Sequence, residues 1–183
     1  MKKILITGGA SGLGFELAKA YSNNNYHVIL VSRNTEKLKE ATKFIKDSGG
    51  SAEYIICDIT NIQSIAILKK TLLKKHASLD CLINNAGVGF FGPLGSLTVD
   101  EIKHMLAVNT EGTIFMTQSL LPIINEKIIN IISTAGLIGK VNETAYVASK
   151  FAVRGFTESL QKEQADTNIK ITAVYMGGMA TPF

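Results

Sequence analysis

Six short, almost wholly apolar runs alternate with longer amphipathic stretches from one end of this chain to the other, and that alternation constrains the fold more than any other feature. The candidate strands are 4–7, 27–32, 53–58, 81–84, 128–133 and 169–175. Continuous β-branched runs of this kind mark strands covered on both faces, the pattern of a parallel sheet. Between them the spacing predicts helices over 14–23, 35–48, 61–76, 99–121 and 143–166. Strands and helices in strict alternation predict a doubly wound α/β layer structure. Right-handed crossovers then bring the C-terminal ends of all strands to one edge of the sheet, where a ligand crevice forms.

The whole chain, 1–183, reads as a single domain, with no linker, repeat or low-complexity segment to mark a second. Its net charge of +4 is modest, and lysines such as Lys69, Lys70, Lys74 and Lys75 fall at helical spacing as a solvated face. Nucleic-acid binding calls for a concentrated basic patch interleaved with aromatics, so no nucleic-acid partner is expected. Cys57 and Cys81 sit inside apolar runs without metal-ligand spacing, as reduced core thiols of a cytoplasmic protein. His27, His76 and His104 are isolated in sequence, and no metal is expected. The apolar run after Met1-Lys2-Lys3 stops at Thr7, too short for a signal peptide. No stretch reaches the roughly 20 apolar residues needed to span a bilayer, so no membrane association is expected.

Residues 7–14 read Thr-Gly-Gly-Ala-Ser-Gly-Leu-Gly, directly after the first strand and at the start of the first helix. Glycines allow a tight turn and close backbone approach to a pyrophosphate, while the helix N-terminus supplies free N–H groups and the positive dipole end. Gly8, Ser11, Gly12, Leu13 and Gly14 are therefore candidate cofactor residues. A glycine-rich turn without a ligand is the alternative, and the βαβ setting favours the cofactor. The second strand ends in Ser32-Arg33-Asn34, without the carboxylate that would bind a ribose 2′-hydroxyl and repel a 2′-phosphate. An arginine fork there favours NADP(H), with NAD(H) as the lesser cofactor.

Tyr146 and Lys150 stand four residues apart, one turn along a helix for which Asn142 is a plausible N-cap. A neighbouring ammonium stabilises a phenolate and so lowers the tyrosine pKa. Ser133 closes the preceding strand, where its hydroxyl can polarise a carbonyl while the tyrosine delivers a proton.

Together, residues 7–14, Asn84-Asn85-Ala86-Gly87, Asn109, Ser133 and Tyr146-x-x-x-Lys150 resemble the short-chain dehydrogenase/reductase family, from about residue 3 onward. The resemblance implies a Rossmann-type fold and hydride transfer between a nicotinamide cofactor and a carbonyl or secondary alcohol. It implies Tyr146 as general acid/base, and Lys150 as the group that lowers its pKa and holds the nicotinamide ribose. Ser133 would position the substrate oxygen, and Asn109 would hold a water in a proton relay behind Lys150. Asp58, with Ile59 beside it, would lie near the adenine. Asn85, Ala86 and Gly87 would run along the cofactor, and Thr181 would hold the carboxamide. A structural role is the alternative for each.

The chain departs from the family pattern after the sixth strand, where Met176 stands in place of a proline. Family members continue for several tens of residues with a substrate-covering lid and a seventh strand. Because this sequence stops at Phe183, the lid and last strand are expected to be absent, leaving the sixth strand as a sheet edge. Two loops flank a substrate position, one with Val88, Phe90, Phe91 and Leu94, the other with Leu137, Ile138 and Val141, and both predict a lipophilic substrate. Small residues at helical spacing (Ala145, Ala148, Ser149, Ala152 and Gly155) match a helix-pairing surface that in the family belongs to a dimer, so a homo-oligomer, dimer or tetramer, is expected. Two other functions stay open: a non-catalytic or truncated NAD(P)-binding protein, and a sugar-nucleotide epimerase or dehydratase, against which the glycine spacing speaks.

Overall fold

The computed structural model describes residues 1–178. Six parallel strands, β1 (Lys3–Thr7), β2 (His27–Ser32), β3 (Ser51–Ile56), β4 (Leu79–Asn84), β5 (Ile124–Ile131) and β6 (Lys170–Val174), form one sheet in the order β3-β2-β1-β4-β5-β6. The order reverses between β1 and β4, and this switch point opens a crevice above the C-terminal strand ends. The expected doubly wound architecture is the one observed.

Helix α1 (Gly12–Asn23) and α2 (Thr35–Asp47) cover one face of the sheet. Leu38, Ala41 and Ile45 of α2 close there over Ile4, Ile6, Val28 and Leu30. Helix α3 (Ile62–Lys75), α4 (Val99–Met105), α5 (Gly112–Leu120) and α6 (Thr144–Glu163) lie on the other. Their Ile65, Leu68, Leu72, Met116 and Leu160 pack on Leu5, Ile29, Val31 and Leu82. The central strands touch apolar side chains on both faces, which explains their uninterrupted apolar sequence. Cys57 and Cys81 are both buried and free, and burial pushes the Cys81 thiol up to about 12. Among the described residues no helix is long and apolar enough to cross a membrane.

Three local expectations need correction. The helix expected over 99–121 is α4 and α5 joined by a π-helical segment at Leu106–Glu111. Within that segment the Asn109 and Thr110 side chains bond outward, to Val88 and to α6. Asn142 does not cap α6. It takes φ of 62°, a left-handed conformation that asparagine tolerates, and Glu143 occupies the N-cap without a side-chain bond. Strand β5 begins four residues before the expected position 128, because exposed Asn125 and Lys127 hide its start.

Candidate active site

The glycine turn is built by what it touches. Gly8 and Gly12 adopt φ of +65° and +52°, so both need glycine's left-handed freedom. Gly14 needs its missing side chain, since a Cβ there would stand 2.3 Å from the Gly8 carbonyl oxygen. Asn85 secures the turn from β4: its Nδ2 donates to the Thr7 carbonyl at 3.0 Å, and its backbone N–H donates to the Thr7 hydroxyl at 3.0 Å. Asn34, Asn61 and Thr98 each cap their helices with a side-chain oxygen. Ser11, the N-cap of α1, makes no such bond. Ser11, Gly12 and Leu13 line the crevice, so the start of α1, with its first N–H groups uncapped by a side chain, opens onto it. That arrangement fits a pyrophosphate.

The crevice has a volume of roughly 540 Å³ and is lined along its length by the glycine turn, Asn85–Gly87, Ser133, Tyr146 and Lys150. Tyr146 and Lys150 lie on α6, 8% and 4% exposed, with the Lys150 ammonium 5.7 Å from the Tyr146 ring centroid. Ser133 follows β5, accepts the Ala135 N–H at 3.1 Å and hydrogen-bonds to Tyr146. Burial pushes the Tyr146 phenol above its ordinary value; the Ser133 bond pulls it partly back, and the Glu143 charge pushes it further up. The net direction is opposite to that expected from Lys150. Burial acts on the ammonium as well, bringing Lys150 down to about 8.

Asn109 lies in the π segment rather than on the crevice wall. Its Nδ2 donates to the Val88 carbonyl at 2.9 Å and to Ser149 Oγ at 3.0 Å, and its Oδ1 accepts the Val88 N–H at 2.8 Å. It therefore joins the loop after β4 to the turn of α6 that carries Tyr146 and Lys150. Arg33 and Asp58 follow β2 and β3, and neither lines the crevice. Arg33 is exposed, while the Asp58 carboxylate accepts from the Thr60 N–H and hydroxyl at 2.9 and 2.8 Å. Burial opposes ionisation of Asp58, but the Thr60 bonds and then the Arg33 charge outweigh it and lower its pKa. Ile59 is buried beside it, against Gly112. Thr181 lies outside the described residues.

Of the two apolar loops, Val88, Phe90 and Phe91 line the crevice, and Phe91 meets Tyr146 edge-to-face at 5.3 Å. Leu94, Leu137, Ile138 and Val141 are exposed and do not line it. A backbone bond from the Gly92 N–H to the Asn142 carbonyl, 2.8 Å, ties the two loops together. Sequence reasoning missed Lys140 and Glu143, which also line the crevice. It also missed a buried network beneath it, in which Asn84 Nδ2 donates to Thr117 and Asn130, and Asn130 Nδ2 donates to Thr157. Nothing in linear spacing links those four residues, whereas Asn84 and Asn130 are register partners in adjacent strands.

A doubly wound sheet with a glycine turn at its switch point is the frame of a dinucleotide-binding protein. The chain belongs to the short chain dehydrogenase family, whose model matches residues 2–183. It is 32% identical over 186 residues to an uncharacterized oxidoreductase of Staphylococcus saprophyticus, covering 99% of this chain and 80% of that protein. It is 34% identical over 187 residues to a fatty acyl-CoA reductase of Acinetobacter baylyi, covering 99% of this chain and 63% of that protein. The structure is similar to that of a variant of actinorhodin polyketide ketoreductase with NADPH. The TM-score is 0.95 at 30% identity, over 99% of this chain and 72% of that one.

Proposed function

We propose that this chain is an NADP(H)-preferring carbonyl reductase or alcohol dehydrogenase acting on lipophilic ketones, aldehydes or secondary alcohols. The observation that carries the reading is the convergence of Ser133, Tyr146 and Lys150 in the crevice that begins at the glycine turn. The turn, Ser11, Leu13 and the N–H groups of α1 would hold the pyrophosphate. Asn85, Ala86 and Gly87 would lie along the cofactor, Asp58 and Ile59 would flank the adenine, and Arg33 would take the 2′-phosphate. Thr181 would hold the carboxamide, as the family pattern implies. Bound NADPH supplies the hydride.

The remaining work falls to this chain's own groups. Ser133 donates to the substrate oxygen and fixes it beside Tyr146. A phenol held above its ordinary pKa is protonated at neutral pH, the state that gives a proton to a forming alkoxide. Lys150 holds the cofactor ribose and supports the phenolate left behind. The Asn109 side chain is fully engaged, so it acts chiefly by positioning Val88 and α6, and a relay water there would be held by the backbone. The apolar wall of Val88, Phe90 and Phe91 supports a lipophilic substrate. Relatives named for a fatty acyl-CoA and for a polyketide fit the same class. Buried reduced thiols support a cytoplasmic location.

The test combines fluorescence titrations with NADPH and NADH with NADPH-oxidation assays on lipophilic and on short charged carbonyl compounds. NADPH should bind more tightly than NADH, and Arg33→Ala should erase most of the difference. Tyr146→Phe should keep NADPH binding while turnover falls by about 10²–10⁴-fold. Tight NADPH binding without turnover of any carbonyl would make the chain a non-catalytic dinucleotide-binding protein. Turnover of the charged compounds alone would overturn the substrate class.

A further inference from the structure

The edge of the sheet opposite the crevice carries a cluster that the oxidoreductase chemistry leaves unused. His27 is the first residue of β2, and Glu53 lies in β3 on the same face, diagonal to it across the Ile29–Glu53 register pair. His76, the C-cap of α3, closes over both. One ligand atom from each of the three lies within 4.8 Å of the others. Glu53 Oε1 stands between the imidazoles, 2.5 Å from His76 Nε2 and 3.6 Å from His27 Nε2. The side chains are 19%, 18% and 13% exposed for His27, Glu53 and His76, so the cluster is largely enclosed with solvent on one side.

The hydrogen bonding leaves one atom unexplained. His27 Nδ1 is engaged with Ser51 Oγ at 2.7 Å, while its Nε2 is buried and makes no hydrogen bond. In the tautomer with Nδ1–H directed at Ser51, the Nε2 lone pair, 3.6 Å from Glu53 Oε1, is available to ligate a cation held between the two. Lys75 does not fill that role. It bonds the other carboxylate oxygen, Oε2, at 2.6 Å and so steadies the ligand from behind.

We infer that His27, Glu53 and His76 form a binding site for a divalent transition-metal ion of the zinc type, held by two imidazole nitrogens and one carboxylate oxygen. Two nitrogens and one oxygen suit this borderline ion, with water from the solvent side as fourth ligand. Tetrahedral bonds of about 2.0–2.1 Å put ligand atoms roughly 3.3 Å apart. The separations from Glu53 Oε1, 2.5 Å to His76 Nε2 and 3.6 Å to His27 Nε2, bracket that spacing. Ser51 and Lys75 supply the outer contacts that orient a ligating imidazole and carboxylate. The ion would fasten β2, edge strand β3 and the end of α3, remote from the crevice. No metal was expected from the sequence because 26 and 23 residues separate the successive ligands, a spacing no short motif covers.

Calorimetric titration of the chain with zinc chloride alone, without any affinity tag, tests this. One equivalent should bind with a dissociation constant in the micromolar range or tighter, and the melting temperature should rise with zinc. His27→Asn and His76→Asn should each weaken binding at least tenfold while NADPH binding shows that the fold is kept. The chain has three histidines, so the imidazole proton resonances give a readout on the unaltered protein. Zinc should move those of His27 and His76 and leave that of His104 in place. Absence of binding at 100-fold molar excess, or a perturbation that spares either His27 or His76, would overturn the site.

Discussion

Lys150 is 4% exposed, with the Ile131 carbonyl 3.4 Å from its ammonium, so the fold holds a charge where burial disfavours it. Its pKa falls from the ordinary 10.5 to about 8. Below pH 8 both folded and unfolded chains carry the proton, and the folded state bears the full cost. Between pH 8 and 10.5 the unfolded chain keeps a proton that the folded chain has shed, so this group's contribution to stability rises with pH across that window. The difference corresponds to an order of ~3 kcal/mol at neutral pH. Lys150→Met removes that cost but leaves the Ile131 carbonyl without its partner, which offsets about 1 kcal/mol. Thermal melts without cofactor should therefore show the variant about 1–2 kcal/mol more stable at pH 7, with the gap closing towards pH 10.5, while carbonyl reduction is lost. A variant less stable at pH 7 would mean that the Ile131 bond outweighs burial. A buried amine that lowers stability in this way is what a group serving the proposed chemistry would show.

The turn before α1 shows how an element is fixed by one atom that is absent. A Cβ on Gly14 would lie 2.3 Å from the Gly8 oxygen and 2.5 Å from Asn85 Nδ2, and neither is the free end of a flexible side chain. Gly14→Ala should lower stability by about 1–3 kcal/mol through this overpacking. It should also weaken NADPH binding at least tenfold by displacing the turn, as denaturant melts and fluorescence titration would show. Unchanged NADPH affinity would mean that the turn is not where the pyrophosphate sits. Elements of this kind were legible in the sequence: the glycines, the strand that precedes them and all six apolar runs signal locally. The strand ends were less so, because the polar residues at the start of β5 look like loop. The π segment was not legible, and the contacts that its Asn109 makes, to Val88 and Ser149, span 21 and 40 residues. Such separations also hide the Asn84–Asn130 network and the His27–Glu53–His76 cluster. Each consists of ordinary residues that acquire meaning only when the sheet sets its register.

At the scale of the whole molecule, α6 divides into two sides. Ala145 and Ser149 point inward, and Ser149 is wholly buried against Asn109. The small-residue row expected for helix pairing thus splits, and Ala148, Ala152 and Gly155 remain exposed, with nothing within 4 Å of a Cβ built on Gly155. Phe151, 40% exposed, stands beside them and supplies apolar area. A row of small side chains lets a second helix approach closely, and a two-fold axis would set the same row of another copy against it. We expect the chain to form a homodimer through this face of α6. Ala152 is exposed, so Ala152→Arg leaves the monomer's packing intact while placing two guanidinium groups across the axis. Sedimentation at micromolar concentration should show a dimer for the wild type and a monomer for the variant, with unchanged circular dichroism. If the wild type sediments as a monomer, the exposed row of α6 is not a pairing surface. If both sediment as dimers, association uses another surface. Because α6 also carries Tyr146 and Lys150 on its inward side, loss of the pairing should reach the crevice and lower turnover more than it lowers NADPH affinity.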